Sequence, residues 1–170
     1  MKKISSIAEI GLDRVFRWLS FSALIIVFDQ WTKQIVVNAM TLGERLPVLT
    51  YFSWVRWHNE GAAFSFLADA GGWQRWFFIV LAVVFVSFLV FELRRLAPRA
   101  SLQHLAYALI IGGAVGNTID RLLEGYVVDF VLLHYDRYYF PAFNVADAAL
   151  SVGALIWGIL LVKEVLDKKN

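Results

Sequence analysis

Two aspartates carry the strongest indication of chemistry in this sequence. Asp129 lies in YVVDFVLL, where its immediate neighbours are apolar, and burial among apolar groups disfavours the charged form of a carboxylate. Asp147 lies in FPAFNVADAALSV, at the third position of a predicted helix that follows Pro141 and has Asn144 as its N-cap. The first-turn N–H groups and the helix dipole favour an ionised carboxylate there.

One carboxylate biased toward neutral and one biased toward charged are suited to the acid-base activation of a water molecule. The structural alternative is that Asp147 only caps its helix and that Asp129 is a surface residue at a strand end. Because both are expected at the same depth, we interpret the pair as catalytic.

A second polar group precedes Asp129. Asn117, Asp120 and Arg121 are spaced i, i+3, i+4 and share one face of a predicted helix. They form either a polar network between helices or part of a site, in which Arg121 holds a carboxylate or a substrate carbonyl. Gly112 and Gly116 form a G-x-x-x-G pattern one turn earlier, which allows another helix to approach closely.

Asp29 and Lys33 are spaced i, i+4 on the first predicted helix and are expected to form an ion pair. We assign this pair a structural role, because a paired charge is the less costly state inside a membrane.

Other chemistries have little support. The chain has no cysteine, which excludes disulfides and thiolate nucleophiles. His58, His104 and His134 do not have metal-ligand spacing. No nucleophile elbow or phosphate-binding loop is present. We therefore expect a membrane aspartyl hydrolase with no metal, no cofactor and no nucleic-acid partner.

The elements that position these residues follow from composition. Hydrophobic residues make up 59% of the 170 positions, against roughly 45 to 50% in soluble domains. An apolar helix needs about 20 residues to cross a hydrocarbon core. Four segments are close to this length: about 16–37, 73–93, 102–122 and 147–162. No small-residue cleavage site follows the first, so it is expected to stay uncleaved. The chain is one membrane domain, with outer segments of about 40–72 and 124–146.

Basic residues predict the orientation of the spans. Ten Lys and Arg residues lie at the two ends and between spans two and three, and four lie in the other two connections. Both termini are therefore expected in the cytoplasm. The polar residues of the spans then lie at one level near the outer surface, which makes that level a candidate site. They are Asp29, Lys33, Asn117, Asp120, Arg121, Asn144 and Asp147.

The segment from Leu46 to Leu67 is rich in β-formers and aromatic residues and predicts short strands on the outer leaflet, with Tyr51, Trp54 and Trp57 near the lipid headgroups. The expected fold is an integral membrane, all-α bundle of four transmembrane helices with a small β-rich cradle on the outer side.

Five motifs in this order resemble the lipoprotein signal peptidase family, also called signal peptidase II. They are DQWTK, NEGAAF, GGAVGNTIDR, GYVVDF and FNVAD, and the resemblance extends over about 28–161. Residues 1–15 lie outside it.

The resemblance implies an aspartyl endopeptidase of the bacterial inner membrane, with its site near the periplasmic face. We expect the protein to be a monomer. Such an enzyme removes the signal peptide from diacylglyceryl-modified prolipoproteins, cutting immediately before the lipidated cysteine. By motif, Asp129 and Asp147 are the catalytic pair. Asn59, Gly61, Asn117, Arg121 and Asn144 surround the substrate, and Asp29, Lys33 and Asp120 are structural.

Two other classes of protein remain as alternatives. A small proton- or ion-coupled transporter would use the Asp and Arg residues to line a pathway, although the polar groups are expected at one outer level only. A non-enzymatic membrane scaffold would not need two carboxylates and an arginine in hydrocarbon.

Overall fold

The computed structural model describes residues 2–61 and 71–169. Four helices form the bulk of the protein: α1, Lys2–Ala39; α2, Trp73–Arg95; α3, Ser101–Leu123; and α4, Val145–Asp167. The predicted segments fall within them, but α1 begins well before position 16. Hydropathy marks only the apolar part of a helix, so the polar first turns of α1 were outside the predicted span.

Helix α3 lies at the centre of the bundle and packs against the three others. Its buried residues face several directions and many are small, among them Ala106, Ala108 and Gly113. Small side chains let neighbouring backbones approach closely. One apolar cluster, from Val15 of α1 through Leu89 and Leu93 of α2, packs against the first half of α3.

Hydropathy identifies two described helices, α2 and α4, as long and apolar enough to cross a membrane. Helix α1 carries Asp29 and Lys33 inside its apolar part, and α3 carries Gln103, His104 and Asn117, which lowers the hydropathy of both helices. The structure therefore confirms a mostly helical protein with a small sheet, and marks two of the four expected spans.

A four-stranded antiparallel sheet lies beyond one end of the bundle. Its strands are β1, Arg45–Leu49; β2, Phe52–Asn59; β3, Val127–Tyr135; and β4, Tyr138–Tyr139, in spatial order β1-β2-β3-β4. The predicted strands after Leu46 are confirmed up to Asn59. The AAFSFL part of that segment, 62–67, which includes Ala63 of the NEGAAF motif, lies outside the described residues.

The sheet is attached to the end of α1. Arg56 of β2 donates hydrogen bonds to the carbonyl oxygens of Val37 (3.1 Å) and Met40 (2.8 Å), which satisfies carbonyls that have no partner inside the helix. Val36 and Met40 also pack against Phe130 of β3. Strand β3 is thereby held over the helix ends, where Asp129 meets the start of α4.

Candidate active site

The start of α4 has the geometry that its sequence predicts. Asn144 is the N-cap, and its Oδ1 accepts a hydrogen bond from the Asp147 N–H at 2.9 Å. The Asp147 Oδ2 accepts from the Asn144 N–H at 3.2 Å, which completes a capping box. The box fixes Asp147 at the N-terminus of a helix, where the helix dipole favours negative charge.

Asp129 lies on β3 with its carboxyl group directed into the protein. Asp129 is 4% exposed, so the alternative that it is a surface residue at a strand end is wrong. The two oxygens accept hydrogen bonds from Asn144 Nδ2 (2.9 Å) and Asn59 Nδ2 (3.1 Å). Burial, and secondly the charge of Asp147, raise the pKa of Asp129 to about 7. Asp129 is therefore substantially protonated near neutral pH.

Two asparagine side chains connect the carboxyl groups. Asn117 Nδ2 donates to Asp147 Oδ1 at 2.7 Å. Asn144 Nδ2 contacts both Asp129 Oδ1 and, at 3.3 Å, the Asn117 Oδ1. The two aspartates thus belong to one hydrogen-bonded network although they come from a strand and a helix.

Lys33 determines the orientation of the Asn117 amide. Its ammonium donates to Asn117 Oδ1 at 3.0 Å, and because an ammonium has only donors, the amide oxygen must face Lys33. The NH2 group of Asn117 then faces Asp147. Lys33 also forms the predicted ion pair with Asp29 (2.7 Å) and a second pair with Asp120 (2.8 Å).

This charged cluster also connects α1 to the site. Asp29 Oδ1 accepts a hydrogen bond from the Ala146 N–H at 2.9 Å, so α1 contributes to the N-terminus of α4. Gln30 donates to Asp120 Oδ1 (2.7 Å) and to the Gly116 carbonyl (3.2 Å). Gln30 was not among the predicted site residues, although its position inside an apolar helix beside Asp29 was a usable signal.

Glycines on α3 make the close packing possible. A Cβ at Gly116 would lie 2.8 Å from Asp29 Oδ2, and one at Gly112 would lie 2.9 Å from the Cβ of Ile25. A Cβ at Gly113 would collide with the carbonyl oxygen of Ala146. The predicted role of Gly112 and Gly116 in helix packing is confirmed, and Gly113 brings α4 equally close.

Arg121 connects α3 to the end of β2. Its guanidinium donates to the carbonyl oxygens of Gly61 (2.6 Å) and Asn117 (3.3 Å) and lies over the ring of Phe78, 5.0 Å from its centroid. Both observed acceptors are backbone carbonyls of the protein itself, so the carboxylate or substrate carbonyl considered from the sequence stays a prediction. Gly61 is held additionally by its own N–H, which donates to Asn59 Oδ1 at 3.0 Å.

The aspartates open into a cavity of about 1240 Å³. Its polar wall contains Asp129, Asp147, Asn117 and Arg121, and its apolar wall continues between α2 and α4 along residues such as Phe85. The cavity can therefore accommodate a molecule with a polar part at the aspartates and an apolar part along the helices.

The structure brings the predicted site residues together. Asn59, Asn117, Asn144, Asp129 and Asp147 form one network, and the cluster of Lys33 with its two aspartates supports it from α1. The three histidines lie in different places: His58 lines the cavity and stacks on Tyr126, His104 stacks on Trp18, and His134 contacts Arg45 and Ser53 on the outer sheet.

Several bacterial proteins have similar sequences. The family model for signal peptidase (SPase) II matches residues 21–163. The lipoprotein signal peptidase of Pseudomonas putida is 49% identical over 148 residues, which cover 86% of this chain and 86% of that protein. That of Pseudomonas syringae pv. tomato is 47% identical over 161 residues, covering 94% and 92%. That of Acinetobacter baumannii is 50% identical over 139 residues, covering 82% and 79%.

Solved structures agree with the sequence relatives. A bacterial membrane enzyme determined by the in meso method at 2.3 Å resolution has a TM-score of 0.80 and 31% sequence identity, with 89% of this chain and 91% of that chain covered. A second such structure, at 1.9 Å, has a TM-score of 0.75 with 86% and 93% covered. The family and the apolar helices place the protein in a membrane. The chain belongs to the signal peptidase II family, proteases that remove signal peptides from prolipoproteins.

Proposed function

We propose that the protein is an aspartyl endopeptidase that cleaves diacylglyceryl-modified prolipoproteins immediately before the lipidated cysteine. The observation that carries this proposal is the shared network of Asp129 and Asp147 at one end of a cavity that continues along apolar residues of α2 and α4. The carboxyl pair suits hydrolysis of a peptide bond, and the apolar walls suit a substrate embedded in lipid.

In the proposed mechanism, ionised Asp147 accepts a proton from water as the water oxygen attacks the scissile carbonyl carbon. Protonated Asp129 donates its proton toward the carbonyl oxygen, and Arg121 stabilises the developing negative charge. As the tetrahedral intermediate breaks its C–N bond, Asp147 gives the proton it took from water to the leaving amine, which becomes the N-terminus of the lipidated cysteine. Asp129 takes back a proton from a hydroxyl group of the intermediate as the new carboxyl group forms. The capping box and the amide of Asn117 keep Asp147 in place throughout.

The proposal includes four membrane spans, with both termini in the cytoplasm and the aspartates near the periplasmic face of the bacterial inner membrane. Helices of 23 residues such as α3 are about 34 Å long, enough to cross a core of about 30 Å. In α1 and α3 the charged side chains at the level of the site are directed inward: Asp29, Lys33 and Asp120 are at most 6% exposed. Residues on the outside of α1, such as Val27 and Trp31, are apolar and exposed.

The packing of the described residues argues against the transporter alternative. Ser22 and His104, two buried polar side chains of the bundle away from the aspartates, each contact a backbone carbonyl, and neither forms a described chain of hydrogen bonds to the site. At the opposite end from the aspartates, the interior between α1, α2 and α3 is filled by the apolar cluster of Val15, Leu89, Leu93 and Ile110. A proton or ion pathway would need polar groups or water at that depth.

The substrate test uses two synthetic prolipoprotein peptides that differ only in the diacylglyceryl group on the cysteine. We expect detergent-purified protein to cleave the lipidated peptide before the cysteine. The unlipidated peptide should be cleaved at least about a hundredfold more slowly, because lipid attachment positions the scissile bond at the aspartates. Mass spectrometry of the products identifies the cleaved bond. Equal cleavage of both peptides, or cleavage elsewhere, would contradict the proposal.

The pH dependence of cleavage follows from the raised pKa of Asp129. Since its protonated form is the proposed acid and its pKa is about 7, kcat/KM is expected to fall as pH rises above about 7, approaching a tenfold loss per pH unit. The measurement is kcat/KM from pH 5 to pH 9 in one mixed buffer of constant ionic strength. A profile that stays level from pH 6 to pH 9 would rule out Asp129 as the acid.

A further inference from the structure

A second apolar depression lies on the membrane-facing side of the bundle, between α1 and α4. This groove has a volume of about 390 Å³ and an almost wholly apolar lining. Its walls include Leu24, Ile25 and Phe28 of α1, Leu109 of α3, and Ala148 and Val152 of α4. No charged residue lines it, so its chemistry fits a hydrocarbon chain and excludes a headgroup or a peptide end.

The groove and the active-site cavity share a wall. Ala148 and Val152 line both, and their i, i+4 spacing places them on one ridge of α4. Asp147 and Ser151 lie on the cavity side of this ridge, and Ala149 lies on the groove side. At the outer end the ridge is low, because the side chain of Ala148 is a single methyl group and is exposed.

We propose that the groove holds one acyl chain of the lipidated substrate while the other chain lies in the active-site cavity, so that the diacylglyceryl group straddles α4 at Ala148. This inference rests on the proposed function, which supplies a substrate with two acyl chains on one glyceryl unit. The modified cysteine adjoins the scissile bond, so its glyceryl unit lies close to Asp147. Ala148 is the next residue, and the groove begins there, beside Val145 in the first turn of α4.

The continuity of the two cavities favours a substrate chain over bulk lipid as the occupant. A chain that leaves the glyceryl unit reaches the groove by crossing one methyl group, without passing a polar side chain. From Val145 to Val152 the groove wall rises by about 10 Å along α4, so it guides the first part of the chain and leaves the remainder in the bilayer.

The expected energetic effect is moderate. Lipid tails are as apolar as the groove, so moving the chain from bilayer to groove yields no hydrophobic gain. What the groove contributes is van der Waals contact and a fixed direction for the glyceryl unit. Loss of the groove should therefore raise KM more than it lowers kcat.

The test compares Leu24→Trp with Val27→Trp. Both positions are on α1 and face lipid, at 66% and 65% exposure, but only Leu24 lines the groove. With a substrate that carries two long acyl chains, Leu24→Trp is expected to raise KM by about three- to tenfold, and Val27→Trp to leave it unchanged. Leu24→Phe, a smaller filler, should give a smaller change in the same direction.

A second substrate, with one long acyl chain and one acetyl group on the glyceryl unit, separates groove filling from misfolding. All variants should cleave it with the KM of the wild type, because the cavity alone accommodates a single long chain. The inference is overturned if Leu24→Trp has the same KM as Val27→Trp with both substrates. It is also overturned if Leu24→Trp raises KM equally for the two substrates. Failure of the proposed function is a different result: the wild type would then cleave an unlipidated peptide as well as a lipidated one.

Discussion

Replacing Asp129 or Asp147 with asparagine is expected to lower kcat for a lipidated prolipoprotein by at least about 10³-fold. Asparagine has nearly the shape of aspartate but neither gives up nor accepts a proton at neutral pH. Asp147→Asn removes the group that accepts a proton from water, and Asp129→Asn removes the group that donates a proton toward the scissile carbonyl. Because the two residues act as a unit, the double variant should be little slower than either single one.

The structure indicates that the Asp129→Asn variant folds. Burial raises the pKa of Asp129 to about 7, so the neutral amide replaces a carboxyl group whose charged form is disfavoured at this site. A carboxyl group whose folded pKa is raised costs stability as pH increases from its unfolded value to its folded one, and Asp129→Asn removes that loss. Thermal unfolding of Asp129→Asn at pH 8 should therefore occur no earlier than that of the wild type.

A matched control for this experiment lies on the same sheet. Asp136 is exposed in the turn between β3 and β4, where its φ of 51° is compatible with asparagine. Asp136→Asn should cleave at the rate of the wild type. If Asp129→Asn or Asp147→Asn inserts normally and retains more than a tenth of the activity, the aspartyl mechanism is wrong.

The parts of the site that could be predicted from the sequence depend on neighbours along the chain. The capping box of Asn144 and Asp147 is formed by residues three apart, and the pair of Asp29 and Lys33 by residues four apart. The helices follow in the same way from long apolar segments, and the alternating burial of β2 follows from its β-forming residues.

The rest of the site depends on contacts between residues 15 or more positions apart, and several of them join residues 60 or more apart. Lys33 was expected to pair with Asp29 alone, but it also reaches Asp120 and Asn117 on α3. The contact of Arg121 with the Gly61 carbonyl likewise joins residues 60 apart. Neither helical periodicity nor hydropathy predicts the distance between α1 and α3. That distance depends on the glycines of α3, which let the helices approach each other.

The cluster around Lys33 gives the second large expected effect. Lys33 is the ion-pair partner of both Asp29 and Asp120, and all three side chains are buried. Replacing Lys33 with methionine keeps the apolar length of the side chain and leaves two carboxylates buried without their cation. Breaking a buried pair in this way costs about 3 to 5 kcal/mol, so Lys33→Met should unfold at a markedly lower temperature in detergent.

Two further variants distinguish this effect from the loss of any lysine. Lys168 forms an i, i+4 pair with Glu164 at 2.6 Å, but both side chains are exposed, so Lys168→Met should unfold like the wild type. Adding Asp120→Asn to Lys33→Met removes one unpaired carboxylate and should restore part of the stability, a coupling that a double-mutant cycle measures. Unfolding of Lys33→Met at the wild-type temperature would show that the cluster does not stabilise the bundle.

Lys33→Met should also reduce activity in the fraction that remains folded, although Lys33 contacts neither proposed catalytic aspartate by a hydrogen bond or ion pair among the described residues. Without the ammonium, the Asn117 Oδ1 keeps, of its described contacts, only the longer, 3.3 Å hydrogen bond from Asn144 Nδ2, so the amide is held less firmly. The 2.7 Å hydrogen bond from its NH2 group, which positions Asp147, is weakened as a result. Since the loss concerns orientation of the base, it should appear in kcat at saturating substrate, at a temperature where circular dichroism shows the variant folded.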